Sequence, residues 1–124
     1  MTDRQQAGRE AGARGELLGA GASGLPRAPW LHGSQPPAAV DLIQFALWQA
    51  RTGDLDEEAL LAALALLPAA RAEVDQLEAA LLFTARAREL SWPRISRAMG
   101  LGSPQAAQQR ADRVAGRVES RGSA

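Results

Sequence analysis

From Ala39 onward the apolar residues recur at helical spacing. Ala39, Leu42, Ile43, Ala46, Leu47 and Ala50 form one continuous stripe, which predicts a helix from about Pro37 to Thr52 closed by Gly53. Asp54 and Glu57 have the spacing of a capping box, so a second helix is expected to start there and run through Leu60, Leu61, Leu64 and Leu67, where Pro68 stops it. Pro68 also suits the first turn of a third helix, with Val74, Leu77, Leu81, Leu82 and Ala85 as its core side and its end at Glu89 or Leu90. No segment has the alternation of a strand.

Two closely spaced start signals follow. Ser91 is placed to cap a short helix with Trp92, Ile95 and Met99 inward; because Pro93 lacks an amide hydrogen, the hydroxyl is expected to accept from the Arg94 amide. Gly100 closes that helix. After Leu101 and Gly102, Ser103 caps a longer helix with Pro104 at its first position and Ala107, Ala111, Val114 and Val118 as its inward stripe. Two helices joined by a short glycine-containing turn have the sequence form of a helix-turn-helix, here over residues 91–115.

The expected fold is therefore all-α: a small bundle of about five helices over 38–121, ending in the helix-turn-helix. Residues 1–37 are rich in Gly, Pro, Ser and Ala and are expected to be a disordered tail that can be cut before Pro36 with little loss of fold. Gly19, Gly21 and Gly24 in that tail spell G-x-G-x-x-G, but a dinucleotide site needs a strand before and a helix after, and neither is expected. Phe45 and Trp48 lie off the stripe of the first predicted helix. With so small a core, they are candidates for a homodimer contact through the first two helices, or equally for covering the edge of the core.

Charge changes this picture. The 14 basic residues, all arginine, balance 14 acids overall, yet Ala39–Phe83 holds two arginines against eight acids while Thr84–Ala124 holds eight against three. A basic end suits a polyanion. On the last helix Gln105, Gln108 and Gln109 project away from the inward stripe with Arg113 at the edge. Glutamine can pair bidentately with adenine and arginine with guanine, which makes these residues, with Ser103 at the helix start, candidates for reading bases of double-stranded DNA. Arg110, Arg117 and Arg121 on the flank, and Arg94 and Arg97 on the short helix, are candidates for the phosphate backbone.

The stretch Ala85–Arg110, ARARELSWPRISRAMGLGSPQAAQQR, resembles small actinobacterial helix-turn-helix proteins, some of them regarded as regulators of a small heat-shock protein. The resemblance rests on Ser91-Trp92, Ile95, Ala98-Met99-Gly100, Ser103, Gln105-Ala106-Ala107 and Arg110, about a fifth of the chain. It implies DNA-binding transcriptional control, with the recognition helix beginning at Ser103. The chain departs from that pattern at Ser96, where Ala or Gly is usual, at Gly102, which lengthens the turn, at Pro104 in place of a common Arg, and at Ala111 in place of a frequent aromatic.

Other classes have less behind them. The lone His32 sits in a Pro- and Gly-rich segment without a partner of the kind a general base or metal ligand needs, so neither an enzyme nor a cofactor is expected. The acids Asp54, Asp56, Glu57 and Glu58 are read as a helix N-terminus facing the positive end of its dipole, not as a metal site. With no cysteine, no apolar run of membrane length and no apolar leader, a cytoplasmic location is expected. The alternative to DNA binding is a protein-protein module in which the same helices engage a polymerase subunit or another regulator.

Overall fold

The computed structural model describes residues 2–29 and 31–122, and its regular elements are all helical. In order they are α1 (Asp3–Gly19), a 3₁₀ turn (Ala22–Gly24), α2 (Ala39–Thr52), α3 (Glu57–Ala65), α4 (Leu67–Ala87), α5 (Trp92–Met99) and α6 (Pro104–Gly122). The chain divides into two compact units, one up to Glu73 and one from Val74, with the boundary inside α4.

The first unit departs most from expectation. Residues 3–19 are not a structureless tail but a helix. Thr2 caps it reciprocally with Gln5: the Gln5 amide donates to Thr2 Oγ1 at 3.1 Å and the Thr2 amide to Gln5 Oε1 at 3.0 Å. Although α1 carries Gly8, Gly12 and Gly15, its Ala13 and Leu17 are buried against α2 and α3. Leu17 is fully buried, which alone contributes roughly 1.5–3 kcal/mol. Arg14 extends the attachment by donating to the Pro37 carbonyl at 2.6 Å and lying 3.8 Å from Glu73.

Glu73 is in turn the cap that α2 lacks locally. Ala38 offers no side-chain oxygen, and the Ala39 and Val40 amides donate to the two Glu73 carboxylate oxygens at 2.6 and 3.2 Å. Gly53 closes α2 in the left-handed conformation at φ 84°, as its position predicts. The stripe of α2 is rotated from the expected one. Phe45 is buried with Ala39, Leu42 and Ala46, while Leu47 is exposed. Phe45 is therefore a core residue and not a surface for a second subunit; its ring packs tilted against half-exposed Trp48, centroids 6.2 Å apart. Gly21 stands at φ 130°, a conformation open to glycine, and a Cβ there would come within 3.2 Å of the Phe45 ring. The G-x-G-x-x-G run thus follows a helix and forms a 3₁₀ turn over Phe45.

At α3 the helix starts two residues later than the Asp54 capping box predicts. Asp56 is the cap, accepting from the Ala59 amide at 2.8 Å. The inward face is also different: Ala59, Ala62, Ala63 and Leu66 are buried, whereas Leu60, Leu61 and Leu64 are about half exposed. Small side chains let α1 and α3 approach closely, and the leucines then point outward. Pro68 falls in the first turn of α4, where its missing amide costs nothing.

The second unit follows the sequence more closely. Its core is Leu82, Ile95, Ala107 and Val114, with Ala85, Leu90, Trp92, Met99, Leu101 and Ala111 packed around the first three of these. Only Leu82 and Ala85 of the expected core side of α4 serve it, for Val74, Leu77 and Leu81 are 55%, 64% and 71% exposed. After Ala87, Glu89 takes φ 65° and the Leu90 amide donates back to the Ala85 carbonyl, a left-handed helix ending made without glycine. Arg86 supports this ending by donating to the Leu90 carbonyl at 2.8 Å and stacking 4.9 Å from the Trp92 ring centroid.

Candidate nucleic-acid interface

The candidate interface is assembled on α5 and α6. Ser91 accepts from the Arg94 amide at 3.3 Å, the partner that Pro93 dictates, and Gly100 at φ 71° ends α5. Ser103 starts α6 by accepting from the Ala106 amide at 3.1 Å. Between them Ser96 is buried, and its hydroxyl faces the Leu101 carbonyl at 3.1 Å and the Ser103 carbonyl at 2.9 Å, sharing one proton between two acceptors of the turn. Sequence reasoning marked Ser96 as a departure without a role. The buried hydroxyl is satisfied by these two turn carbonyls, of which that of Ser103 also accepts from the Ala107 amide at 3.4 Å.

Ala107 and Val114 are fully buried, and Ala111 and Val118 partly so, which fixes the roll of α6 about its axis. The opposite side carries Gln105, Gln108, Gln109, Asp112 and Arg113, all exposed. Ser103 is half-buried at the helix start and its side-chain oxygen is committed to the cap, so of the expected base-reading set it is the least available. Arg94 and Arg97 are exposed on α5, and among the described residues neither they nor Arg113 enters an ion pair.

The flank arginines are differently placed. Arg110 makes a bidentate pair with Glu78 of α4, both bonds 3.0 Å. Arg121 donates to Asp75 at 2.7 Å, and Arg117 lies 3.3 Å from the same carboxylate. The hydrogen bond from Arg121, followed by the charge of Arg117, holds Asp75 below the ordinary carboxylate range, while the bond to Glu78 raises Arg110 above its usual value. These contacts join α6 to α4 and occupy part of the arginine capacity assigned from sequence to phosphate. Arg117 keeps about half of its side chain exposed and, with Arg113, Gly116 and Arg121, lines a shallow basic depression along α6.

Elsewhere little chemistry converges. Among the described residues no group of three or more His, Cys, Asp or Glu could hold a metal ion, and no helix is long and apolar enough to cross a membrane. His32 is exposed, its backbone amide bonded to Gln35. No protein-family model, curated protein or solved structure matches the chain.

Proposed function

We propose that this chain binds double-stranded DNA sequence-specifically, α5 and α6 acting as a helix-turn-helix whose second helix enters the major groove, and that it serves as a cytoplasmic regulator of transcription. One observation carries the reading: the first three turns of α6 turn three glutamines and an arginine outward from a helix whose opposite side is locked into the core by Ala107 and Val114. Side chains on a fixed rod of this kind can meet base edges in one register.

In this reading Gln105, Gln108, Gln109 and Arg113 read bases. Arg94 and Arg97 contact the backbone from α5, and Arg117, with Arg113 beside it, contacts it along the basic depression. Arg110 and Arg121 serve first to hold α6 on α4. The second unit as a whole carries eight arginines against five acids, the sign a phosphate lattice requires.

Selection of bound fragments from a random duplex library, followed by a mobility shift on the recovered sequence, tests the proposal. Tight binding near about 50 mM salt that weakens steeply as salt rises is expected. Gln109→Ala should cost about 1–3 kcal/mol on the selected site and little on others, whereas Arg97→Ala should weaken all duplexes alike. No enrichment and no shift at low salt would overturn the proposal.

A further inference from the structure

We propose that Asp112 is a specificity-determining residue of the α6 surface, accepting a hydrogen bond from the N4 amino group of a cytosine and so requiring a C·G pair beside the bases that the glutamines read. This role rests on the helix-turn-helix reading above and gives its target a chemical class. At about 3.6 residues per turn, Asp112 lies two turns along α6 from Gln105 and falls between the lines of Gln108 and Gln109. It is exposed, and on the other side of the helix Ala107 and Val114 are buried, so its carboxylate stands in the middle of the outward face. Among the described residues no ion pair or hydrogen bond reaches that carboxylate, whereas Arg110, Arg117 and Arg121 of the same helix all meet acids of α4. Gln108, four residues back, has the spacing to bond it, yet no such bond forms. The other acid of α6, Glu119, stands two turns further on, beyond the glutamines.

A free carboxylate is costly at this position. Every phosphate of a duplex repels it, and a surface that merely attracts polyanions gains by losing it. Pressed against base edges it also loses water, a penalty that stands unless a donor meets it. In the major groove only cytosine N4 and adenine N6 offer an amino group. Beside the adenine amino group lies N7, an acceptor that repels a group holding only lone pairs, and cytosine presents no such atom. Guanine and thymine meet a carboxylate with acceptors alone. Cytosine is thus the base that Asp112 selects, and the paired guanine presents N7 and O6 to Arg113, exposed one residue on. The glutamines, each with a donor and an acceptor, suit adenine instead. At about 1.5 Å per residue, α6 advances roughly 10 Å from Gln105 to Asp112, so the C·G pair falls within about three base steps of the first adenine.

Selection from a random duplex library with the parent and with Asp112 variants, followed by fluorescence anisotropy on each single-base change of the selected site, tests the assignment. The parent should enrich one C·G pair within about three steps of an adenine and lose about 5- to 150-fold in affinity when that pair alone is changed. Asp112→Ala should level that position only, keep the preferences for adenine, and bind unselected duplexes more tightly because a repelling charge is gone. Asp112→Asn brings a donor beside its acceptor and should move the preference from cytosine to adenine, which a change of charge alone does not do. Because the side chain is exposed and holds no partner among the described residues, both variants should keep the helical circular dichroism of the parent. If both tighten binding to every duplex alike and leave all base preferences in place, Asp112 only repels phosphate and the proposal falls. A parent that enriches sites lacking such a pair overturns it too, with duplex binding intact. No enrichment by the parent at all would sink the helix-turn-helix reading, and this assignment with it.

Discussion

The hydroxyl of Ser96 lies 2.9 Å from the carbonyl oxygen of Ser103 and donates to it, tying the middle of α5 to the residue that caps α6. Since the same hydroxyl also faces the Leu101 carbonyl, one buried group holds both sides of the turn that sets how α6 leaves α5. Ser96→Ala removes the donor and leaves these carbonyls without it. A loss of about 1–2 kcal/mol in urea unfolding is expected. An unchanged midpoint would show that the turn holds itself.

Leu17 tests whether α1 belongs to the fold. It is fully buried among residues of α1, α2 and α3, so Leu17→Ala should destabilise the first unit by about 2–5 kcal/mol. Removal of residues 1–35 should lower the melting temperature strongly, because it takes away Leu17 together with the Arg14 bond to Pro37. A truncated chain melting like the parent would return this segment to the status of a dispensable tail.

Glu89 adopts φ 65°, a conformation that costs a residue with a Cβ about 1–2 kcal/mol. Glu89→Gly relieves that cost at the end of α4 and should raise stability by about 0.5–1 kcal/mol. Glu89→Ala, which keeps the Cβ, should not.

Asp75 competes with phosphate for Arg117 and Arg121. If the DNA proposal holds, Asp75→Asn should strengthen binding to duplexes of any sequence and steepen the dependence of log K on log salt by about one further contact. Fluorescence anisotropy across a salt series measures both. Weaker binding by the variant would mean that the clamp positions α6 more than it masks the arginines.

Asp75 also sets a pH dependence. Its folded-state pKa lies below the unfolded one, with the Arg121 hydrogen bond as the largest favourable cause, so its contribution is present in full above about pH 4 and is lost as pH falls through the lowered value. Urea midpoints of the parent should fall below about pH 4. Asp75→Asn should start lower at neutral pH and converge with the parent in acid. Parallel curves down to strong acid would remove Asp75 as the cause.

Local chemistry was legible in the sequence because it acts over a few residues. Gly53, Ser91, Gly100 and Ser103 each end or begin a helix where their spacing predicts, since a cap needs only its own backbone and the next turn. The outward glutamines followed from the inward Ala107 and Val114 by helical geometry alone. The Thr2–Gln5 capping box of α1 is local in the same way, but the glycines and the scarcity of large apolar residues after it give that segment no strong apolar stripe.

Only the tertiary structure decided which of two apolar faces turned inward. In α3 leucines and alanines lie on different sides, and hydropathy favours the leucines; α1 packs against the alanines because close approach needs small side chains, and Leu60, Leu61 and Leu64 stay outside. Ionic partners were equally hidden, for Glu73 reaches the α2 amides from 33 and 34 positions away and Asp75 meets Arg121 across 46. The sequence by itself determined where helices start and stop, a matter of neighbouring residues. The folded chain determined which surfaces they share and which charges they pair, a matter of distances that no local pattern encodes.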